Sequence, residues 1–313
     1  MNYQHSSVML AECISALEIR PDGTYVDCTL GGGGHSLEIA KRLTRGGRLV
    51  GVDQDANAIA HAGRVLAEHS DKLRFVKGSF FDIKQILETL DIARVDGFLA
   101  DIGVSSHQLD EPSRGFSYMH DAPLDMRMDE SAGFSAADVV NGYGEPELAR
   151  IISTYGEERF ARRIAALIVK QRPINTTLEL VSVIKQAIPA RARESGQHPA
   201  KRTFQAVRIE VNSEIAPLGQ AIEDMAGLLA PGGRIAVISF HSLEDRAVKN
   251  TFRALEGGCN CPRDFPLCVC NNPRTLQVVT RKPITPGDAE LASNHRARSA
   301  KLRVAERVDE SGR

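Results

Sequence analysis

The sequence predicts an α/β protein: a mostly parallel sheet with helices on both faces, interrupted by an inserted helical segment. Three observations carry this. Strand and helix patterns alternate from Tyr25 to Ala100, the rhythm of βαβ units, which build parallel sheets covered on both sides. A run of glycines at 31–34 follows the first strand pattern, where an open α/β sheet binds ligands beyond its strand ends. The alternation stops after Asp101, gives way to helical patterns, and returns as a strand only at 233–240.

Taken in order, residues 24–28 read as the first strand and 36–43 as a helix that Gly46-Gly47 stops. Residues 48–53 are the second strand. In 56–67 the apolar Ile59, Ala60, Leu66 and Ala67 recur at helical spacing. Strand patterns at 73–77 and 95–100 bracket a helix at about 82–90. Residues 103–135 are then a long polar loop holding Pro112, Gly115, Pro123 and Gly133, too rich in Leu, Met and Phe for a disordered segment. Helical patterns follow at 145–154, 157–171, 177–188 and roughly 201–216. After the strand at 233–240 come a helix at 242–255 and two strand patterns, 276–281 and 299–305, expected to pair antiparallel at the sheet edge. The expected organisation is a first domain part at 1–107, a helical insertion at 108–207 and a second domain part at 208–313.

Composition narrows the function classes. The 313 residues are 42% hydrophobic and 25% charged, ordinary for a globular chain able to bury a core. A formal net charge of −1 excludes a globally basic nucleic-acid coat; RNA or DNA contact would need local patches. Residues 1–20 lack a basic stretch followed by an apolar core, and no apolar run approaches the ~18 residues of a membrane span. A cytoplasmic protein is expected. Of the six cysteines, Cys13 and Cys28 lie in apolar segments and read as small buried hydrophobes. Cys259-x-Cys261 and Cys268-x-Cys270 lie in a loop with Pro and Gly. Four thiolates so close could hold zinc, but the usual two-residue gap is absent, and reduced thiols are the simpler expectation.

The glycine loop matches neither phosphate signature. In Gly31-x-Gly33-x-x-Ser36 the third glycine of the dinucleotide fingerprint is missing, and no Gly-Lys-Ser/Thr follows. Instead an acid precedes the glycines (Asp27), a second ends the next strand about 20 residues on (Asp53), and a third (Asp101) ends the adjoining strand. Carboxylates there would repel a diphosphate and suit a cationic methyl donor. S-adenosylmethionine is such a donor.

Asp101-Ile-Gly-Val-Ser-Ser-His-Gln-Leu-Asp110, Arg114-Gly-Phe-Ser117 and Pro123-Leu-Asp-Met-Arg-Met-Asp129 resemble the bacterial 16S rRNA cytosine-N4-methyltransferases, the RsmH (MraW) family. Further matching stretches are Tyr155-Gly-Glu-Glu-Arg-Phe-Ala161, Thr203-Phe-Gln-Ala-Val-Arg208, Ser239-Phe-His-Ser-Leu-Glu-Asp-Arg246 and Arg296-Ala-Arg-Ser-Ala-Lys-Leu-Arg303. The resemblance covers nearly the whole chain. It implies a class I S-adenosylmethionine-dependent methyltransferase with a Rossmann-like sheet and an inserted α-helical subdomain for substrate recognition. It also implies methyl transfer to N4 of a cytidine in the decoding region of 16S rRNA in the small ribosomal subunit. The cofactor contacts it implies are Gly33, Gly34, His35, Asp53, Phe80, Asp101 and Gln108.

The exocyclic amine of cytosine is a poor nucleophile, so the chemistry calls for placement, desolvation and an acceptor for the amine protons. Asp101 and Ser105 are the candidates. His241 is a candidate for stacking on the base or contacting RNA. Candidate phosphate contacts are Arg159, Arg162, Arg163, Lys170 and Arg172; Arg191, Arg193, Lys201 and Arg202; and Arg296, Arg298, Lys301 and Arg303. A dinucleotide oxidoreductase, a methyltransferase for another RNA or DNA, and a non-catalytic ribosome-assembly factor stay open as alternatives.

Overall fold

A computed structural model describes residues 7–44, 46–193, 198–257 and 274–308. Cys259, Cys261, Cys268 and Cys270 lie outside the described residues. Cys13 and Cys28 are buried and unpaired, and burial pushes both thiols well above the usual cysteine range. None of the described helices is long and apolar enough to cross a membrane.

The chain divides into two compact units. The first joins 1–103 to 215–313, and the second is 104–214; the sequence reading draws the insertion at 108–207. In the first unit, β1 (Thr24–Asp27), β2 (Arg48–Asp53), β3 (Leu73–Lys77), β4 (Val95–Asp101), β5 (Leu229–Ser239), β6 (Leu276–Val278) and β7 (Lys301–Arg307) form one sheet. Its order is β3-β2-β1-β4-β5-β7-β6. The neighbours from β3 to β5 run parallel, and β7 is antiparallel to both β5 and β6. The strand order reverses between β1 and β4, so the crevice beyond their carboxyl ends is the topological switch point where such sheets take ligands.

Side chains alternate across these strands with period two. Val26, Phe98, Ala100, Ile235 and Val237 face one apolar cluster. Tyr25, Leu99, Ala236 and Ile238 face the other. Both faces are buried, which is why these strands read as continuous apolar runs. The sequence gives no warning of helix Leu10–Leu17, whose Cys13, Ile14 and Leu17 pack into the second cluster, or of helix Leu218–Leu228, which packs into the first. The last two strands depart from their patterns in different ways, one shorter and one later. The 276–281 strand ends at Val278, and the last strand begins at Lys301 because 295–299 is a 3-10 turn.

The second unit is helical around its own core, which includes Leu148, Ile151, Ile164, Leu180, Ile184, Phe204 and Val207. Its boundaries follow capping chemistry. Thr176 and Glu179 form a reciprocal capping box that starts helix Thr177–Ala187, and Ser135 and Asp138 start helix Ala136–Gly142, which sequence pattern misses. The helix expected from 157 begins only at Ala161, because Glu157 turns left-handed (φ 49) to close helix Glu145–Gly156. That helix crosses Lys201–Asn212 so closely that a Cβ on Gly156 would lie 2.6 Å from the Arg202 carbonyl oxygen; only glycine fits. The long loop is a built element. The buried Arg114 donates from Nη2 to the carbonyls of Arg127 (2.9 Å) and Met128 (3.0 Å), and Asn212 donates to the Met126 carbonyl (2.8 Å).

Candidate functional site

The glycine loop is held open by the acids around it. Gly31 and Gly33 take positive φ (47° and 79°), a conformation that strains other residues. The Gly31 N–H donates to Asp53 Oδ2 (2.8 Å), and the Asp55 N–H donates to Asp53 Oδ1 (2.9 Å). Asp53 therefore ties the loop to the end of β2 while each of its oxygens keeps lone-pair capacity. Helix Gly34–Arg42 starts directly after the loop, so the N–H groups of its first turn have no partner within the helix. His35 is buried, and its Nε2 lies 3.0 Å from the Val8 carbonyl, as a donor requires. With the ring engaged there, the backbone N–H is what His35 offers a ligand. Burial holds its pKa down to about 4.

Asp27 behaves differently from the other two acids. It is fully buried; Ser36 Oγ donates to its Oδ2 (2.7 Å) and the Thr29 N–H to its Oδ1 (3.2 Å). It braces the loop rather than lining a ligand surface. Ser36, the residue that breaks the dinucleotide fingerprint, is the partner that makes this brace. Thr29, which sequence alone does not single out, accepts the Asp101 N–H at 2.6 Å and so couples the loop to the end of β4.

Asp101 is the exception to hydrogen-bond accounting at this rim. Its Oδ1 is buried without a hydrogen-bond partner, an arrangement that native folds rarely tolerate without a functional reason. Desolvation, then the charges of Asp27 and Glu244, push its pKa up to about 8. Desolvation likewise raises Asp27 and Asp53 to about 6. The rim is an anionic site short of a cation. That fits the sulfonium and ammonium groups of S-adenosylmethionine, and Asp53 fits its ribose hydroxyls. Phe80 is buried in the apolar cluster beneath the strand ends, its ring centroid 4.3 Å from that of Phe81. Ser105 and Gln108 belong to the second unit and hold one another. The Ser105 N–H donates to Gln108 Oε1 (3.0 Å), and the Gln108 N–H donates to Ser105 Oγ (3.2 Å).

Several of the expected phosphate contacts are engaged within the protein, among them Lys301, which pairs with Asp245 Oδ2 (3.2 Å), and Arg202, which donates to the Glu157 carbonyl (2.8 Å). Arg303 is buried and donates from Nε to Asp245 Oδ1 (2.6 Å). Arg172 donates to the carbonyls of Val140 (2.8 Å) and Tyr143 (2.5 Å). Arg159, Arg162, Arg163, Lys170, Arg191, Arg193, Lys201 and Arg202 are exposed on the second unit.

These pKa shifts set a pH dependence. Asp27, Asp53 and Asp101 bind protons more tightly folded than unfolded, so they make stability fall as pH rises from about 4 through about 8. His35, neutral when folded, costs stability as pH falls below about 6.5. Above that point His35 is silent and Asp101 dominates. The ligand-free protein is expected to lose thermal stability between pH 6.5 and 8. The stabilisation conferred by S-adenosylmethionine should grow over the same interval. Thermal melts with and without the donor measure both slopes.

The sheet order, with its reversed β7, is that of the class I methyltransferases. The profile of the MraW methylase family matches residues 2–308. The ribosomal RNA small subunit methyltransferase H of Clostridioides difficile (strain 630) is 55% identical over 311 residues, covering 98% of this chain and 100% of that protein. The protein of the same name from Brevibacillus brevis is 54% identical, covering 98% and 99%. A solved rRNA methylase from Streptococcus thermophilus aligns at 10% identity with a TM-score of 0.42, over 97% of this chain and 98% of that one, a likeness too slight to bear on function.

Proposed function

The chain belongs to the MraW methylase family, and on that premise we propose that it transfers a methyl group from S-adenosylmethionine to N4 of a cytidine in the decoding region of 16S rRNA, in the cytoplasm and within the small ribosomal subunit. The observation that carries this reading is the pairing at the switch point of a glycine loop tied to Asp53 with a buried, unpartnered Asp101 oxygen. That arrangement suits a cationic nucleoside and repels a diphosphate.

S-adenosylmethionine supplies the methyl on a sulfonium that leaves readily. The chain supplies the rest. Backbone N–H groups of Gly34 and His35 would face the donor. Gly33, whose own N–H closes the turn onto the Leu30 carbonyl (2.8 Å), would let the loop backbone approach it. The Asp53 carboxylate would accept from the donor's ribose hydroxyls, and Phe80 would add an apolar wall. Asp101 balances the donor's positive charge and takes the proton that N4 must lose. In the second unit, Gln108 is proposed as a further cofactor contact and Ser105, whose O–H remains able to donate, as a contact of the target base. The role assigned to that unit is RNA recognition, with its exposed Arg and Lys residues on phosphates. The cytidine must be splayed out of its stack to be reached.

Mass spectrometry of 16S rRNA from cells lacking the protein should show one N4-methylcytidine missing. In vitro, 30S particles should accept methyl groups where DNA does not. An intact methylation pattern in the deletion strain would overturn the reading. Reversing Arg162, Arg163, Arg191 and Lys201 to glutamate should weaken RNA binding. It should also flatten the dependence on log salt by roughly 0.7–0.9 for each phosphate that is no longer neutralised. Unchanged binding would remove these residues from the interface.

A further inference from the structure

Asp101 has a second acid for a neighbour. β4 and β5 end side by side: Asp101 is in register with Ile238, and the Ile102 N–H donates to the Ile238 carbonyl at 3.0 Å. The chain leaving β5 turns at Phe240-His241 into helix Ser242–Leu255, and Glu244 in its first turn folds back to the strand end. Its Oε2 accepts the N–H groups of Phe240 (2.7 Å) and His241 (3.2 Å). Its Oε1 lies toward the β4 end, where a Cβ on Gly103 would sit 3.7 Å away. Glu244 is 1% exposed. His241 caps the same helix, its Nδ1 accepting the Glu244 N–H (3.4 Å) and its Nε2 lying 2.9 Å from Glu244 Oε1.

A capping glutamate normally sits in water, where its charge costs little. Here the cap is buried, and neutral glutamine would satisfy the same two N–H groups. What glutamine lacks is the charge and the second acceptor oxygen that faces His241 Nε2. The titratable groups facing Asp101 are Asp27 on β1, Glu244 after β5 and the Cys13 thiol on helix Leu10–Leu17. Asp27 acts on Asp101 more strongly than Glu244 does, but its Ser36 and Thr29 hydrogen bonds also brace the glycine loop, whereas Glu244 lies outside that loop and adds its charge from the adjoining strand end.

We infer that Glu244 is a positioning residue for methyl transfer: its buried negative charge at the adjoining strand end makes the Asp101 carboxylate a stronger proton acceptor for the departing amine proton. This rests on the reaction proposed above. The proton passes from the methylated, positively charged nitrogen to Asp101 Oδ1, restoring a neutral amine, and later leaves to solvent. Two carboxylates placed so that one raises the proton affinity of the other is a recurrent device for tuning acid–base groups.

The test compares wild type with Glu244→Gln in two readouts. Carbon-13 NMR of labelled aspartates in the ligand-free protein should show Asp101 titrating about one pH unit lower in the variant. Single-turnover methylation of 30S particles should have its acidic limb displaced about as far toward acid, with the KM for the donor little changed and a lower plateau rate. In an Asp101→Asn background, Glu244→Gln should have no further effect on the rate. Should Glu244→Gln not fold, Glu244→Asp, which withdraws the charge by one methylene, should displace both midpoints in the same direction by less. An unmoved Asp101 titration, or an unmoved limb in a folded variant, overturns the inference while leaving the function intact. Wild-type protein that methylates no RNA overturns the function, and the NMR titration still decides whether Glu244 tunes Asp101.

Discussion

Asp101→Asn is expected to lower the single-turnover rate of methyl transfer by more than tenfold, and by about a hundredfold if proton acceptance is its main work. Asparagine keeps the shape of the side chain, and the backbone N–H that bonds Thr29 Oγ1 is untouched. The loop geometry should therefore survive, and the loss should appear in the rate at saturating donor. If donor affinity falls while the saturated rate holds, Asp101 is only a cofactor ligand. The same substitution should raise the melting temperature of the ligand-free protein at pH 8, because it deletes a buried charge that has no cation to offset it. A residue that destabilises the empty protein and is needed for the rate marks strain held in place for function.

The parts of this protein legible in its sequence are those governed by local periodicity. The parallel strands and their helices follow from apolar runs and glycine stops, and the acids at the strand ends follow from the topology they predict. What escapes is set by residues far apart in the chain. Helix Leu10–Leu17 is fixed by packing against the sheet face, and its neighbour Val8 takes the His35 ring, which only the fold brings near. Asp27 reads as one of three equivalent acids until Ser36 and Thr29 are seen to occupy it. Arg303 sits in a basic stretch that reads as an RNA contact, but strand pairing turns it inward onto Asp245. Glu244 has an ordinary capping signature, and nothing in the sequence reveals that this cap is buried beside β4. In each case a charge changes meaning once its burial is known, and burial is what periodicity reports least well for polar residues.

Asp53→Ala should weaken donor binding by about 2–3 kcal/mol, roughly 30- to 150-fold in Kd, measured by calorimetry with S-adenosylmethionine or its demethylated product. Two losses add. The carboxylate that accepts from the ribose hydroxyls is gone, and so are the acceptors for the Gly31 and Asp55 N–H groups. The second loss matters because Gly31 is held at φ 47 by that bond. A glycine released from its anchor regains a wide range of conformations, and a loop that must be reordered on binding costs affinity. Asp53→Asn separates the two. Its amide oxygen can still accept one of the N–H groups, so the loop should stay partly anchored and binding should fall by less than in the alanine variant. The affinity of the asparagine variant should also lose most of the pH dependence that Asp53, with its pKa raised to about 6, contributes in wild type. Equal affinities for the two variants would mean that the loop anchoring contributes nothing and that Asp53 acts only through the ribose.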